Sequence, residues 1–239
     1  MMNIALLIDC ENARAESIHG ILSELSSKGV INIRRAYGNW KSLPGWEAKL
    51  HPLAIQPVQQ FAYTNGKNAT DMCMAIDAIE LHYSEKVDCF ALVTSDCDFT
   101  PLVLKLLTKG RTVIGFGEAK TPDPFRRACS TFIQTDNFRE PSQEHPESSV
   151  TTRKSRNELR GDTELMNVLR NAIENMKADD GWTNLSRAGQ YIANNSSLSP
   201  KNYGYASWSG LIRGTEYFDE ELRETHPYFR TRKAAKAAG

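Results

Sequence analysis

Four aspartates carry the chemistry that this sequence can offer. Asp9 ends the apolar run 4–8 in IALLIDCENA, Asp71 stands in KNATDMCMAID, and Asp96 and Asp98 lie in TSDCDF, just after CFALVT. Carboxylates brought together repel one another unless they share protons or a cation offsets them. A hard divalent ion with oxygen ligands does this, and Mg2+ typically takes one or two carboxylates together with waters and substrate phosphates. Such an ion lowers the pKa of a bound water and stabilises charge on a phosphoryl oxygen, which is the chemistry of phosphodiester hydrolysis. No residue stands out as a covalent nucleophile, and none of the five histidines lies in these segments.

Each acid also has a structural reading. Asp98 precedes a helix and reads as its N-cap as well as a ligand. Asp71 would complement a helix dipole. Asp77, further along the same helix, reads as solvated or as a supporting neighbour of the site, and Glu11 as an exposed bystander. Asp9 and Asp96 resist such readings, because both follow strands that are apolar on both faces. Clustered titratable groups mark sites. Asn12 and Ser95 flank these acids, placed to orient a carboxylate or a water, although Asn12 equally suits a helix cap. Asn68 and Thr70 precede Asp71 with the same two readings, Thr70 being the better cap candidate.

The elements that must position these residues alternate along the first half of the chain. NIALLI, INIRRAY (31–37), a stretch near 57–62, CFALVT (89–94), RTVIGF (111–116) and TFIQT read as strands. Between them, helices are expected at 14–28, with Gly29 as C-cap, at LPGWEAKL, and at 70–83, with Met72, Ile76, Ile79 and Tyr83 on one face. Two more follow, one after Asp98 ending at Gly110, and one at 123–130. Pro57 places its strand at an edge or a strand start. This β-α alternation predicts an α/β fold with a parallel, doubly wound sheet. In such sheets ligands gather at the carboxyl ends of the strands, where Asp9 and Asp96 would meet.

Residues 140–160 are polar, with two prolines and few apolar residues, and read as a linker. A second periodic block follows. ELMNVLRNAIENM predicts a helix, GWTNLSRAGQYIANN a second capped near Thr183, YASWSGLIRG a third, and EYFDEEL to HPYFRTRK a hairpin. That is the plan of a small C-terminal winged helix. The expected divisions are 1–139, linker 140–160, 161–233 and a tail at 234–239.

Bulk properties are ordinary for a globular protein: 239 residues, 40% hydrophobic, 24% charged, and zero formal net charge. Each half is separately balanced, so any basic surface is local. Five cysteines without C-x-x-C spacing argue against a disulfide framework or a zinc site and fit a reducing cytoplasm. The start MMNIALLID has no positive n-region and reads as no signal peptide. No apolar run reaches the roughly 20 residues that span a bilayer, so no membrane association is expected.

At IDCEN, RRAYGNW, KNATDMCMAIDA, LVTSDCDFTPLV and VIGFG, in that order, the chain resembles the NYN domain family of the PIN-like nuclease group, over about residues 3–138. The resemblance implies a PIN-like, Rossmannoid fold and a metal-dependent ribonuclease using Mg2+ or Mn2+. The family's acidic positions fall on Asp9, Asp71 and Asp96, with Asp98 as a fourth, and its amide on Asn12. One departure is local: Asn68-Ala69-Thr70 stands where family members often have a glycine and a small residue. GWTNLSRAGQYI and PKNYGYASWSGLI resemble the OST-HTH, or LOTUS, domain over about 163–232, which implies RNA binding. The family also motivates the expectation of a homodimer.

RNA, single-stranded or structured, is then the expected partner. Arg34, Arg35, Lys41, Lys67, Arg126 and Arg127 would rim an acidic centre and hold phosphates, and Trp40 would stack on a base. In the second block Lys201, Tyr203, Tyr205, Trp208 and Arg213 are candidates, Trp208 also reading as core. RKSR (153–156) and RTRK (230–233) would add nonspecific affinity. Two other functions compete with the nuclease. One is a nonenzymatic RNA-binding adaptor. The other is a phosphatase of the haloacid dehalogenase type, which wants a D-x-D pair where this chain has Asp9-Cys10-Glu11.

Overall fold

The computed structural model describes residues 1–60, 68–138 and 153–232. The chain divides into two compact units, Met1–Val150 and Thr151–Gly239.

The first unit is built on six parallel strands. These are β1 (Met2–Asp9), β2 (Gly29–Gly38), β3 (Gln56–Gln59), β4 (Cys89–Val93), β5 (Thr112–Gly117) and β6 (Thr131–Gln134), in the order β3-β2-β1-β4-β5-β6. The order reverses between β1 and β4, which lie side by side with Ile8 opposite Val93. Five helices accompany them: α1 (Ile18–Ser26), α2 (Pro44–Leu50), α3 (Ala69–Ser84), α4 (Thr100–Thr108) and α5 (Asp123–Ala128). The central strands are apolar on both faces because each face is covered. Ile4, Leu6 and Ile8 of β1 enter one core with Ile18 and Ile21, while Ala5 and Leu7 enter another with Met74 and Val103. Pro57 lies on the edge strand β3, where its missing N–H costs no ladder bond.

Four local expectations are corrected. Gly29 is not a helix cap; it begins β2, where a Cβ would lie 2.3 Å from the Met2 carbonyl oxygen. Asp98 does not cap: Asp96 does, accepting from the Asp98 amide at 2.9 Å over a 3-10 turn that precedes α4. Thr70 does not cap α3 either, its N-cap position being Asn68. Finally, Met72, Ile76 and Tyr83 of α3 are exposed, and the helix buries Thr70, Met74, Ala78 and Leu81 instead. The sequence holds two stripes at helical spacing. Asp77 lies on the side of the buried one, accepting from Arg35 at 2.8 Å and from the Tyr37 hydroxyl at 2.7 Å, both on β2. Asp77 therefore anchors the helix to the sheet and is not a solvated group. Gly110 does follow α4, with φ +74°.

In the second unit α6 (Arg156–Gly161) and α7 (Thr163–Asn175) lead into the short β7 (Thr183–Asn184), α8 (Leu185–Asn195) and α9 (Trp208–Thr215). The antiparallel hairpin β8 (Phe218–Arg223) and β9 (His226–Thr231) completes it, with the sheet order β7-β9-β8. Asn184 caps α8, its side chain accepting from the Ser186 amide, whereas the Thr183 hydroxyl donates to the Ile173 carbonyl. The linker expectation is corrected at its end. Ser155 and Glu158 form a capping box that starts α6, and Leu159 is fully buried in this unit's core. Residues 139–152 of the expected linker, and the tail, lie outside the described residues.

No helix among the described residues is long and apolar enough to cross a membrane. All five cysteines are free thiols.

Candidate metal centre

Asp9 is the last residue of β1 and is fully buried. Its carboxylate accepts from the Glu11 and Asn12 amides at 3.1 and 3.3 Å, from Asn12 Nδ2 at 2.9 Å, and from the Thr94 hydroxyl at 2.7 Å. Burial pushes its pKa up, and the bonds from Thr94, Asn12 and Glu11 pull it back. A carboxylate has about four lone-pair sites, so protein donors already satisfy this one. Asn12 thus orients a carboxylate and caps no helix.

Thr94, just past β4, ties two acids together. Its hydroxyl donates to Asp9 and accepts from the Asp96 amide at 3.1 Å. Ser95, singled out from the sequence, faces elsewhere and accepts from the Glu118 amide at 3.0 Å. Asp71, in the first turn of α3, feels all of its acidic neighbours. Burial and then the charges of Asp9, Asp96, Glu11 and Asp98 push its pKa up to about 6. Glu11 is exposed, as expected, and it accepts from the Thr70 hydroxyl at 3.2 Å.

These residues open on a cleft of about 370 Å³ at the carboxyl edge of β1 and β4. Glu11, Asn12, Asn39, Ser42, Asn68, Asp71 and Asp96 are among its lining residues. Asp9 lies beneath and does not line it. Beside it, the Asp96 and Asp98 carboxylates and the Cys97 thiol each offer an atom within 4.8 Å of the others. The fold has thus gathered hard oxygen donors and negative charge at one switch point, a donor set that suits a hard divalent cation.

The family model of the NYN domain matches residues 3–136. The chain belongs to the NYN domain family. An OST-HTH/LOTUS domain follows at residues 161–233. This pairing gives the protein a nuclease-type domain followed by one associated with RNA binding. An uncharacterized protein of Methanocaldococcus jannaschii is 35% identical over 118 residues, covering 48% of this chain and 47% of that protein. The chain therefore spans about half the length of this curated relative. A solved structure of a protein of unknown function from Vibrio parahaemolyticus aligns with a TM-score of 0.47 and 18% identity, over 56% of this chain and 92% of that one.

The basic rim expected around this NYN domain's cleft is largely spoken for. Arg34 donates to the Leu53 carbonyl, and Arg35 is held by Asp77. Arg126 and Arg127 both pair with Asp123, Arg126 also lying over the Phe132 ring, and neither lines the cleft. Trp40 packs against a core, and its Nε1 is buried without a partner. Trp40 and Lys41 line a separate pocket of about 520 Å³ with Leu50, Ile55 and Pro57. Lys67 lies outside the described residues. In the LOTUS domain, Tyr203 and Tyr205 are buried, with Lys154 and Arg153 over their rings, so neither face is free to stack on a base. Lys201 is half-buried, Trp208 is half-buried against the core, and Arg213 is locked on Glu220.

Sequence reasoning missed Thr94, Glu11 and Asn39. Thr94 carried a signal, being a hydroxyl residue following an otherwise apolar central strand. Asn39 came into the cleft through the end of β2, a loop that no periodicity describes.

Proposed function

We propose that the protein is a metal-dependent endoribonuclease that hydrolyses RNA phosphodiester bonds, with RNA recruited by its LOTUS domain. The observation that carries this reading is the convergence of Glu11, Asp71 and Asp96 on one cleft above Asp9, with Asp71 pushed up to about 6 by burial first and by the neighbouring acidic charges second. Asp71 and Asp96 would hold Mg2+ or Mn2+, with Asp98 at the rim and Asp9 beneath adding charge. The ion, when bound, supplies an acidified water and charge stabilisation at the phosphoryl oxygen. Asn12 and Thr94 keep Asp9 fixed, and Thr94 also fixes the Asp96 backbone. Asn39, Ser42 and Asn68 offer neutral hydrogen-bonding groups along the cleft, which an anionic backbone tolerates where more carboxylates would repel it. Five free thiols support a reducing compartment such as the cytoplasm.

One observation favours the adaptor reading: the lone pairs of Asp9 are satisfied within the protein, as they would be for a purely structural acid. Cleavage of single-stranded RNA in Mn2+, with and without chelator, separates the two. The wild type is expected to cleave, chelator to abolish cleavage, and Asp71→Asn and Asp96→Asn each to lose about a hundredfold or more. Chelator-insensitive cleavage, or full activity in both variants, would sink the proposed site. RNA binding without cleavage across varied sequences would leave the adaptor.

A further inference from the structure

The LOTUS domain carries a polar groove that no sequence motif announced. It lies between the end of α7 and the outer face of α8, with a volume of about 390 Å³. Arg187, Gln190, Tyr191 and Asn194 line one side, at the three- and four-residue spacing that puts them on one stripe of α8. Asn175 and Lys177 face them from α7 and the turn beyond it. No carboxylate lines the groove.

Lys177 pairs with Glu174 at 3.2 Å, so the groove's free charge is that of Arg187, and this contrasts with α9 and the hairpin. On α9 and the hairpin, where a winged helix would be expected to meet nucleic acid, the cations are neutralised. Arg213 makes three bonds to Glu220, Arg230 and Arg232 share Asp219, and Arg223 pairs with Asp180 and Glu221. Strand β8 itself reads Asp219-Glu220-Glu221, which repels phosphate. Among the described residues of this unit, Arg187 is the one cation with no ion pair, hydrogen bond or ring contact. Gln190 and Asn194 are likewise uncommitted, while Asn175 donates to the Tyr191 hydroxyl at 2.9 Å and steadies that ring.

We propose that this α7–α8 groove, and not α9 with the hairpin, is where the domain holds single-stranded RNA. Arg187 contacts a phosphate, Gln190 and Asn194 meet the hydrogen-bonding edges of unpaired bases, and the exposed part of Tyr191 gives a base a surface to lie on. A guanidinium brings a planar fork of donors to phosphate, and carboxamides supply both donor and acceptor to a base edge. The inference rests on the RNA reading of the whole protein, which it makes specific.

The test uses the full chain in chelator, a short fluorescent single-stranded RNA, and anisotropy at several salt concentrations. Arg187→Gln is expected to weaken binding about tenfold, the weight of one charge-assisted bond. It should also lower the log–log salt slope by about 0.7, the value for one phosphate contact on a single strand. The double variant Gln190→Ala, Asn194→Ala should weaken binding and leave the slope alone. Arg213→Ala should bind as the wild type does. Because Arg187 is exposed and unpartnered, its variant should unfold at the same urea midpoint, which separates lost contact from lost fold. Wild-type binding by both groove variants, or a loss confined to Arg213→Ala, overturns the assignment. If the wild type binds, Arg187→Gln weakens it, and no chelator-sensitive cleavage is found, the nuclease reading fails and the groove stands.

Discussion

The Thr94 hydroxyl donates to buried Asp9 and accepts from the Asp96 amide, so Thr94→Val removes both bonds while keeping the shape. It leaves a buried carboxylate short of a donor, which costs about 2 kcal/mol. The expected result is a lower urea midpoint at unchanged m-value, with cleavage reduced, and Thr94→Ser should restore both. An unshifted midpoint would mean that Asp9 does not depend on this bond. Asp71 behaves in the opposite sense. Its folded pKa lies above the ordinary carboxylate value, so its charge at neutral pH opposes folding. Asp71→Asn should therefore stabilise the metal-free protein. After discounting for solvent screening the gain is about 1 kcal/mol, or about 3 °C in melting temperature. Mn2+ should raise the melting temperature of the wild type and leave that of the variant nearly unmoved. A wild type indifferent to Mn2+ would remove the ion from the cleft.

At the level of elements, what periodicity could reach was legible. The six strands and the helices between them appear in the order read from the sequence, because strands buried on both faces and capped helices leave strong local patterns. Helix orientation was not legible where two stripes competed. On α3, Met74, Ala78 and Leu81 enter the core and Asp77 bonds to Arg35 and Tyr37 on the same side, which leaves Met72 and Ile76 exposed. The same limit applies to the proposed site: Asp9, Asp71 and Asp96 stand out by type and place, whereas Thr94 and Glu11 bond to neighbours about 60 to 85 residues away. The start of the second unit was misread for a local reason, since its first helix is short and sits in a polar run. Ser155 and Glu158 were the available signal. Leu159→Ala should cost this unit about 3 kcal/mol, as a buried leucine does. A fragment 153–232 should likewise unfold cooperatively, whereas 162–232, lacking Leu159 and the Arg160 bonds to the Thr215 and Glu216 carbonyls, should melt lower or not fold. Equal stability of the two fragments would return α6 to the linker.

Across the whole molecule the formal charge is zero, so no general field draws RNA toward an acidic cleft. The cleft alone is a poor place for a polyanion to arrive, since among the described residues no Lys or Arg lines it. If the protein cleaves RNA as proposed, recruitment by the LOTUS domain makes covalent connection an advantage in its own right. A module that holds RNA raises the concentration of that strand at a tethered partner, to about the millimolar range for short connections. On long RNA the full chain should therefore exceed fragment 1–138 in kcat/KM by about tenfold or more, with kcat little changed, because only capture is lost. Adding fragment 153–232 in trans at micromolar concentration should not restore the difference, since the effective concentration is gone. On an oligonucleotide too short to engage both units the two proteins should cleave alike. Arg187→Gln in the full chain should reproduce the kcat/KM loss on long RNA and leave kcat intact. If fragment 1–138 cleaves long RNA as efficiently as the full chain, the LOTUS domain does not recruit substrate, and the nuclease domain must find RNA by itself.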